Sequence, residues 1–208
     1  IGNAVPFAIG GFSSRTVQTV VAEGEPVGFI RGYKAVLNPD NSLKEILPLQ
    51  NLGSTLPTAY GNFSLSASYK NLSFMLSGDY QYGAYVHSFD RQFRFSKGLK
   101  DDAIPEKALE GLDQGANWLN FTNFFVEKSD FLKIRNIGIA YDYKPKKYLK
   151  SVNLAFNVYN PFAFTASSVD PEAALAGARS QGAVAVGGLN YSSYSTPRQY
   201  VGTIRVSF

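Results

Sequence analysis

The chain has 208 residues, is 45% hydrophobic and 14% aromatic, and carries a formal charge of +4. It holds no run of roughly eighteen apolar residues, which excludes a membrane-crossing helix, and no cysteine, which excludes disulfides, thiol catalysis and cysteine metal sites. Tyr (13) and Phe (16) far outnumber Trp and Met (one each), a composition suited to strands that cross a membrane interface with their rings among headgroups.

The first residues, Ile1 to Gly11, lack the basic and apolar regions of an export signal. Ser14 to Ala22 and Val27 to Leu37 read as two strands joined at Glu23-Gly24-Glu25-Pro26, and Asn38 to Tyr60 as a long loop. From Gly61 to Tyr69 the pattern is clean: Phe63, Leu65, Ala67 and Tyr69 alternate with Asn62, Ser64, Ser66 and Ser68. Lys70-Asn71 is a two-residue hairpin signal. After it Leu72, Phe74, Leu76, Gly78, Tyr80 and Tyr82 resume the period, in a strand predicted to reach Arg91 or beyond. The long loop from Lys97 to Asn120 contains a predicted short helix, Ile104 to Leu112.

Further strands are predicted from Lys133 to Tyr143, with Ile137, Ile139, Tyr141 and Tyr143 on one parity, and around Val152, Leu154, Phe156 and Val158. The lysines at 144, 146, 147 and 150 fit a solvated turn better than a nucleic-acid patch. A third long loop, Ala166 to Pro197, carries a predicted helix at Pro171 to Ala178, and the last strand sets Tyr200, Gly202, Ile204, Val206 and Phe208 on one face.

Short polar connections thus alternate with long ones, which is the arrangement of an outer-membrane barrel with short periplasmic turns and long outer loops. The fold class expected is all-β: part of a transmembrane antiparallel β-barrel, with about seven strands. An odd set that starts outside does not close a bacterial barrel, so earlier strands are expected ahead of Ile1. Lipid-facing arginine is costly; parity puts Arg205 on the lumen face, and Arg135 and Arg198 are expected near strand ends.

No nucleophile, metal or phosphate motif stands out. His87 is the one histidine and is expected as a rim or lumen side chain; Gly182 to Gly188 reads as a loop, and Asp101, Asp102, Glu106 and Glu110 as a solvated helix face. Trp118, Phe121, Phe124, Phe125, Tyr191 and Tyr194 either stack on a sugar or peptide ligand or pack the loops together, and Trp118, Phe125, Tyr191 and Tyr194 are the candidates for ligand contact.

Five segments in order resemble the SusC/RagA type of TonB-dependent transporter. They are Glu23 to Lys34 (the GEPVGxxxGYK segment), Leu56-Pro57 with Tyr60 to Phe63, Ser129 to Tyr141, Val152 to Phe164 followed by Asp170-Pro171-Glu172, and Arg198 to Phe208. Two departures stand out: the region between Tyr33 and Leu56 is short and lacks the family's acidic insert, and Asn160-Pro161 stands where a Leu is usual. The resemblance implies a C-terminal portion, residues 1–208, of a barrel of about 22 strands whose plug domain and earlier strands precede it. It implies TonB-dependent uptake of oligosaccharides or peptides across the outer membrane, with no enzymatic activity and no cofactor. The partners implied are lipid and lipopolysaccharide, a SusD-like surface lipoprotein, the TonB complex and the barrel-assembly machinery, with no nucleic acid. Tyr200, Ile204, Val206 and Phe208 would form the terminal strand that this machinery recognises. A non-energised channel or adhesin barrel and a soluble carbohydrate-binding sandwich are the rival readings.

Overall fold

The computed structural model describes residues 7–11, 18–145, 149–170, 172, 189–190 and 194–208. Its described residues divide into two compact units.

The smaller unit comprises Ala59–Gln81, Phe131–Phe164 and Thr196–Phe208. It is built on one antiparallel sheet. Numbering all strands in chain order, its members are β5 (Ala59–Tyr69), β6 (Leu72–Tyr82), β9 (Phe131–Tyr143), β10 (Ser151–Thr165) and β12 (Gln199–Ser207), in the spatial order β12-β10-β9-β6-β5. At one end of the sheet the connections are short: Lys70-Asn71, with Lys70 in the left-handed region at φ 54°, and residues 144–150. At the other end they run over 83–130 and 166–198. Strands of nine to fifteen residues are long enough to cross a bilayer when tilted, which takes about 9–11.

The larger unit comprises the described residues within Ile1–Thr58, Tyr82–Asp130 and Thr165–Ser195. One sheet joins β1 (Phe7–Gly11), β2 (Gln18–Val21), β3 (Phe29–Leu37) and β4 (Leu43–Ser54). A second joins β11 (Leu189–Asn190), β7 (Tyr85–Ser88) and β8 (Val126–Lys128). Helices α1 (Phe89–Ser96) and α2 (Gln114–Asn117) and 3₁₀ segments at Glu106–Leu109 and Trp118–Phe125 complete it. Its core is Ala35, Phe95, Ile104, Ala108, Phe121 and Phe125.

All seven expected strands are present, but only five share the long-stranded sheet; the first two pair within β1-β2-β3-β4. The stretch from Asn38 to Tyr60, read as a loop, contains β4. Asn38-Pro39-Asp40-Asn41-Ser42 is a tight turn, in which Asn38 N–H donates to Ser42 O at 2.9 Å and Asn41 sits at φ 65°. β4 escapes a period-two reading because bulges interrupt its pairing with β3 and Pro48 lies within it. Proline is tolerated there because β4 is a sheet edge. The short-long alternation of connections therefore holds from β5 onward and fails before it.

The strand expected to reach Arg91 ends earlier, at Tyr82, and α1 occupies Phe89–Ser96. Its buried residues are Phe89, Gln92 and Phe95, one helical face, and the polar Gln92 among them hides the helical period. A C-terminal lock stops the helix: Gly98 N–H donates to Phe95 O and Leu99 N–H to Arg94 O, with Gly98 at φ 83°. Of the predicted helix at Ile104 to Leu112 only the 3₁₀ turn Glu106–Leu109 forms; that at Pro171 to Ala178 lies outside the described residues, apart from Glu172.

Candidate functional site

The five-stranded sheet has two chemically distinct faces, and the strand registers define them. Opposite residues in an antiparallel pair share a face. Between β10 and β12 one face receives Val152 with Val206, Leu154 with Ile204, Phe156 with Gly202 and Val158 with Tyr200. The other receives Ser151 with Ser207, Asn153 with Arg205 and Ala155 with Thr203. Between β6 and β9 the apolar pairs are Leu72 with Tyr141, Phe74 with Ile139, Leu76 with Ile137 and Tyr80 with Leu132. Their polar counterparts include Ser73 with Ala140, Ser77 with Asn136 and Asp79 with Lys133.

The apolar face is open: Ile204 is 74% exposed, and Leu65, Phe74, Ile139, Leu154, Phe156 and Val206 are exposed with it. A contiguous apolar surface of this extent is foreign to water and natural to lipid. Aromatic residues flank its aliphatic middle. Tyr69, Tyr141, Tyr143 and Phe208 lie at the short-turn end, and Tyr80, Tyr82 and Tyr200 toward the long-loop end, all exposed. From Leu72 to Tyr80 the strand rises roughly 26 Å, which at a barrel tilt sets the two aromatic levels across most of a hydrocarbon layer. Phe156 and Tyr200 stack at 6.4 Å, with Gly202 opposite Phe156 leaving the space open.

Arg135 departs from the sequence expectation in an instructive way. It lies within β9 rather than at an end, on a parity that would face lipid in a regular strand. The pairing jumps from Ser77–Asn136 to Gly78–Ile134, so Arg135 is the extra residue of a β-bulge. Its guanidinium reaches the polar-face carboxylate of Asp79, with Nη2 donating to Oδ2 at 2.8 Å and Nε to Oδ1. The bulge re-phases the strand, so Leu132 and Ile134 on one side of it and Ile137 and Ile139 on the other keep the same apolar face. Arg198 does precede its strand, donating to Pro161 O at 2.5 Å and lying 5.8 Å from the Phe162 ring, and Arg205 shares the polar face with Asn153.

In the larger unit, charged and polar groups tie the chain segments together. Arg91 on α1 donates to Asp101 (Nε to Oδ2, 2.9 Å) and to Glu127 on β8, and its guanidinium lies 5.7 Å from the Phe125 ring. Burial works against the charged form of Arg91, but Asp101 and Glu127 outweigh it and raise its pKa. Glu127 also accepts from Ser168 Oγ at 2.7 Å, binding the segment after β10 to β8. Asp40 in the β3–β4 turn accepts from Lys107 Nζ at 2.6 Å and from Ser42, which holds its carboxyl well below the usual carboxylate range.

His87, expected as a rim or lumen side chain, is instead fully buried on β7. The Gln92 amide nitrogen donates to Thr122 Oγ1 and Trp118 O, so Gln92 Oε1 is the acceptor for His87 Nε2–H at 2.5 Å. His87 Nδ1 has no partner among the described residues, and burial pushes the imidazole pKa down to about 4 against the opposing Gln92 bond.

Of the proposed ligand-contacting aromatics, Phe125 is fully buried in the core, so its ring supports the loops and presents no face to solvent. Trp118 is half-buried, edge-on to Phe89 at 6.1 Å; Tyr194 is 93% exposed; Tyr191 lies outside the described residues, as does Gly182 to Gly188. Among the described residues no three His, Asp or Glu side chains are grouped to hold a metal ion. Asp102, Glu106 and Glu110 are exposed, as a solvated face would be, with Glu106 paired to Lys100 in solvent; only Asp101 is drawn inward, to Arg91, and the four border a cavity of about 510 Å³.

No family model and no curated protein matches the sequence. Among solved structures the chain is similar to the RagAB peptide importer in its "closed-closed" state (TM-score 0.64) and its "open-open" state (TM-score 0.61), and to a structure of the RagAB peptide transporter (TM-score 0.61). In each case the identity is 19%, over 95% of this chain and 24% of the matched chain. The chain thus has the fold of about a quarter of those transporter chains, and the fold class expected from its sequence is the one found.

Proposed function

We propose that this chain is the C-terminal wall-and-loop part of a SusC/RagA-type outer-membrane importer that takes up peptides or oligosaccharides at the expense of TonB. The observation that carries the reading is the open apolar face of the five-stranded sheet, bounded by two aromatic levels, with its short connections at one end and its long ones at the other. The likeness in fold to the RagAB importer supports cargo uptake and favours peptides. In this reading the apolar face meets lipid, and lipopolysaccharide toward the outside. The polar face with Asp79, Lys133, Arg135 and Arg205 lines the lumen, and the larger unit is the extracellular part that meets cargo and a SusD-like lipoprotein. The terminal strand with Tyr200, Ile204, Val206 and Phe208 is presented to the assembly machinery. The role is binding and passage, not catalysis.

The test is uptake of a fluorescent tripeptide by cells producing the protein, with and without functional TonB. TonB-dependent uptake and recovery in the outer-membrane fraction are expected. Uptake that persists without TonB would identify a passive channel, and a soluble protein would overturn the membrane reading altogether.

A further inference from the structure

The larger unit contains a preformed cavity of about 510 Å³, within the range of small-ligand pockets. Its apolar lining is Ile104, Pro105 and Leu109, of which Ile104 belongs to the unit's core. Its remaining wall is dominated by carboxylates: Asp101, Asp102, Glu106 and Glu110, against the single cation Lys100.

Three ties hold the walls. Arg91 fixes Asp101; Gln114 Nε2 donates to Phe95 O at 2.6 Å and Leu99 O at 2.9 Å; and Lys107 anchors the Glu106–Leu109 turn to Asp40. These ties also determine which charges remain. Asp101 is answered by Arg91 and Glu106 by Lys100, whereas no ion pair among the described residues reaches Asp102 or Glu110. Lys107 senses Glu110, but its ammonium is held by Asp40.

An apolar floor beside two uncommitted carboxylates suits a cation on an alkyl stem. A compact divalent ion needs several oxygens converging on one point, and no such group is formed among the described residues. A lysine or arginine side chain satisfies both halves, its methylenes on apolar surface and its charged head outward.

We propose that this cavity is a subsite for a lysine or arginine side chain of a peptide cargo, the stem on Ile104, Pro105 and Leu109 and the cation toward Asp102 and Glu110. The proposal rests on the peptide-import reading and adds a preference for basic residues. It is tested by measuring, with purified protein in detergent, the affinity of Ala-Lys-Ala and of Ala-norleucine-Ala, which differ by the ammonium group. The wild type should bind the lysine peptide about tenfold more tightly, the scale of two exposed charge contacts, and high salt should erase most of the difference. In the double variant Asp102→Asn, Glu110→Gln, checked for an unchanged heat-dependent gel shift, the two peptides should bind alike. Equal affinities in the wild type, a lysine preference that survives the double substitution, or binding of neither peptide would overturn the subsite. Failure of the import reading is distinguishable, because it appears as absent TonB-dependent uptake of neutral and basic peptides alike.

Discussion

Moving one positive charge across the thickness of a single strand separates the two faces of the sheet. Ile204 pairs with Leu154 on the apolar face, and its neighbour Thr203 pairs with Ala155 on the polar face. Ile204 lies midway between Tyr200 and Phe208, four residues from each, so roughly 13 Å along the strand and, at a 40° tilt, about 10 Å in depth separate it from either aromatic level. That places it near mid-bilayer, where an arginine facing lipid costs about 2–4 kcal/mol. Ile204→Arg should therefore lower stability by that amount, and Thr203→Arg by less than about 1 kcal/mol, because its side chain enters a polar face that already holds Arg205. Urea titration of the protein folded into phosphatidylcholine vesicles, read by heat-modifiable gel mobility, gives both numbers. Equal costs for the two substitutions, or a greater cost for Thr203→Arg, would show that the apolar face does not meet lipid.

Deleting Arg135 should remove the bulge yet leave Leu132, Ile134, Ile137 and Ile139 on one face, so the protein should still assemble with a loss of about 1–2 kcal/mol from the Asp79 pair; deleting Ile139 instead inverts the strand's phase and should abolish the gel shift. His87 should make the larger unit acid-labile. Its folded pKa of about 4 lies below the ordinary 6.5, so the unfolded state binds the proton first, and stability is full above pH 6.5 and declines as pH falls toward 4, by roughly 3 kcal/mol in all. Hydrogen exchange of β7 and α1, corrected for intrinsic rate, should show this decline in the wild type and not in His87→Gln; protection that is flat with pH in both would refute it. Gly78→Val should cost about 1–3 kcal/mol by thermal or urea denaturation, since even a Cβ there would approach Lys133 O at 2.5 Å and the Phe63 ring.

What the sequence made legible was set by solvent on both sides of a strand. In β5, β6, β10 and β12 one face meets water or polar groups and the other is apolar, so period two survives intact and the assignments follow directly from it. β9 shows the limit: one inserted residue, Arg135, inverts the parity of half the strand while the structure keeps one apolar face throughout. Parity counted from Ile137 backward puts Arg135 toward lipid, and only the partner strand's register reveals that it is the bulge.

The larger unit was less legible because its interior is not uniformly apolar. Gln92, Thr122 and His87 are buried alongside Phe95, Phe121 and Phe125, and Gln92 links the other two through side-chain hydrogen bonds to residues 5 and 30 positions away. Such a network has no local signature, and a hydrophobicity pattern reads its members as surface. The same holds for the acidic stretch at 101–110: in sequence it is a run of charges, and only the fold shows that Asp101 is engaged by Arg91 and that Lys107 within it is held by Asp40, while no ion pair among the described residues reaches Asp102 or Glu110. The five-stranded sheet can be read from alternation because each strand pairs one apolar face with one polar face. The larger unit is specified by pairings between distant segments of the chain, and those emerge only with the fold.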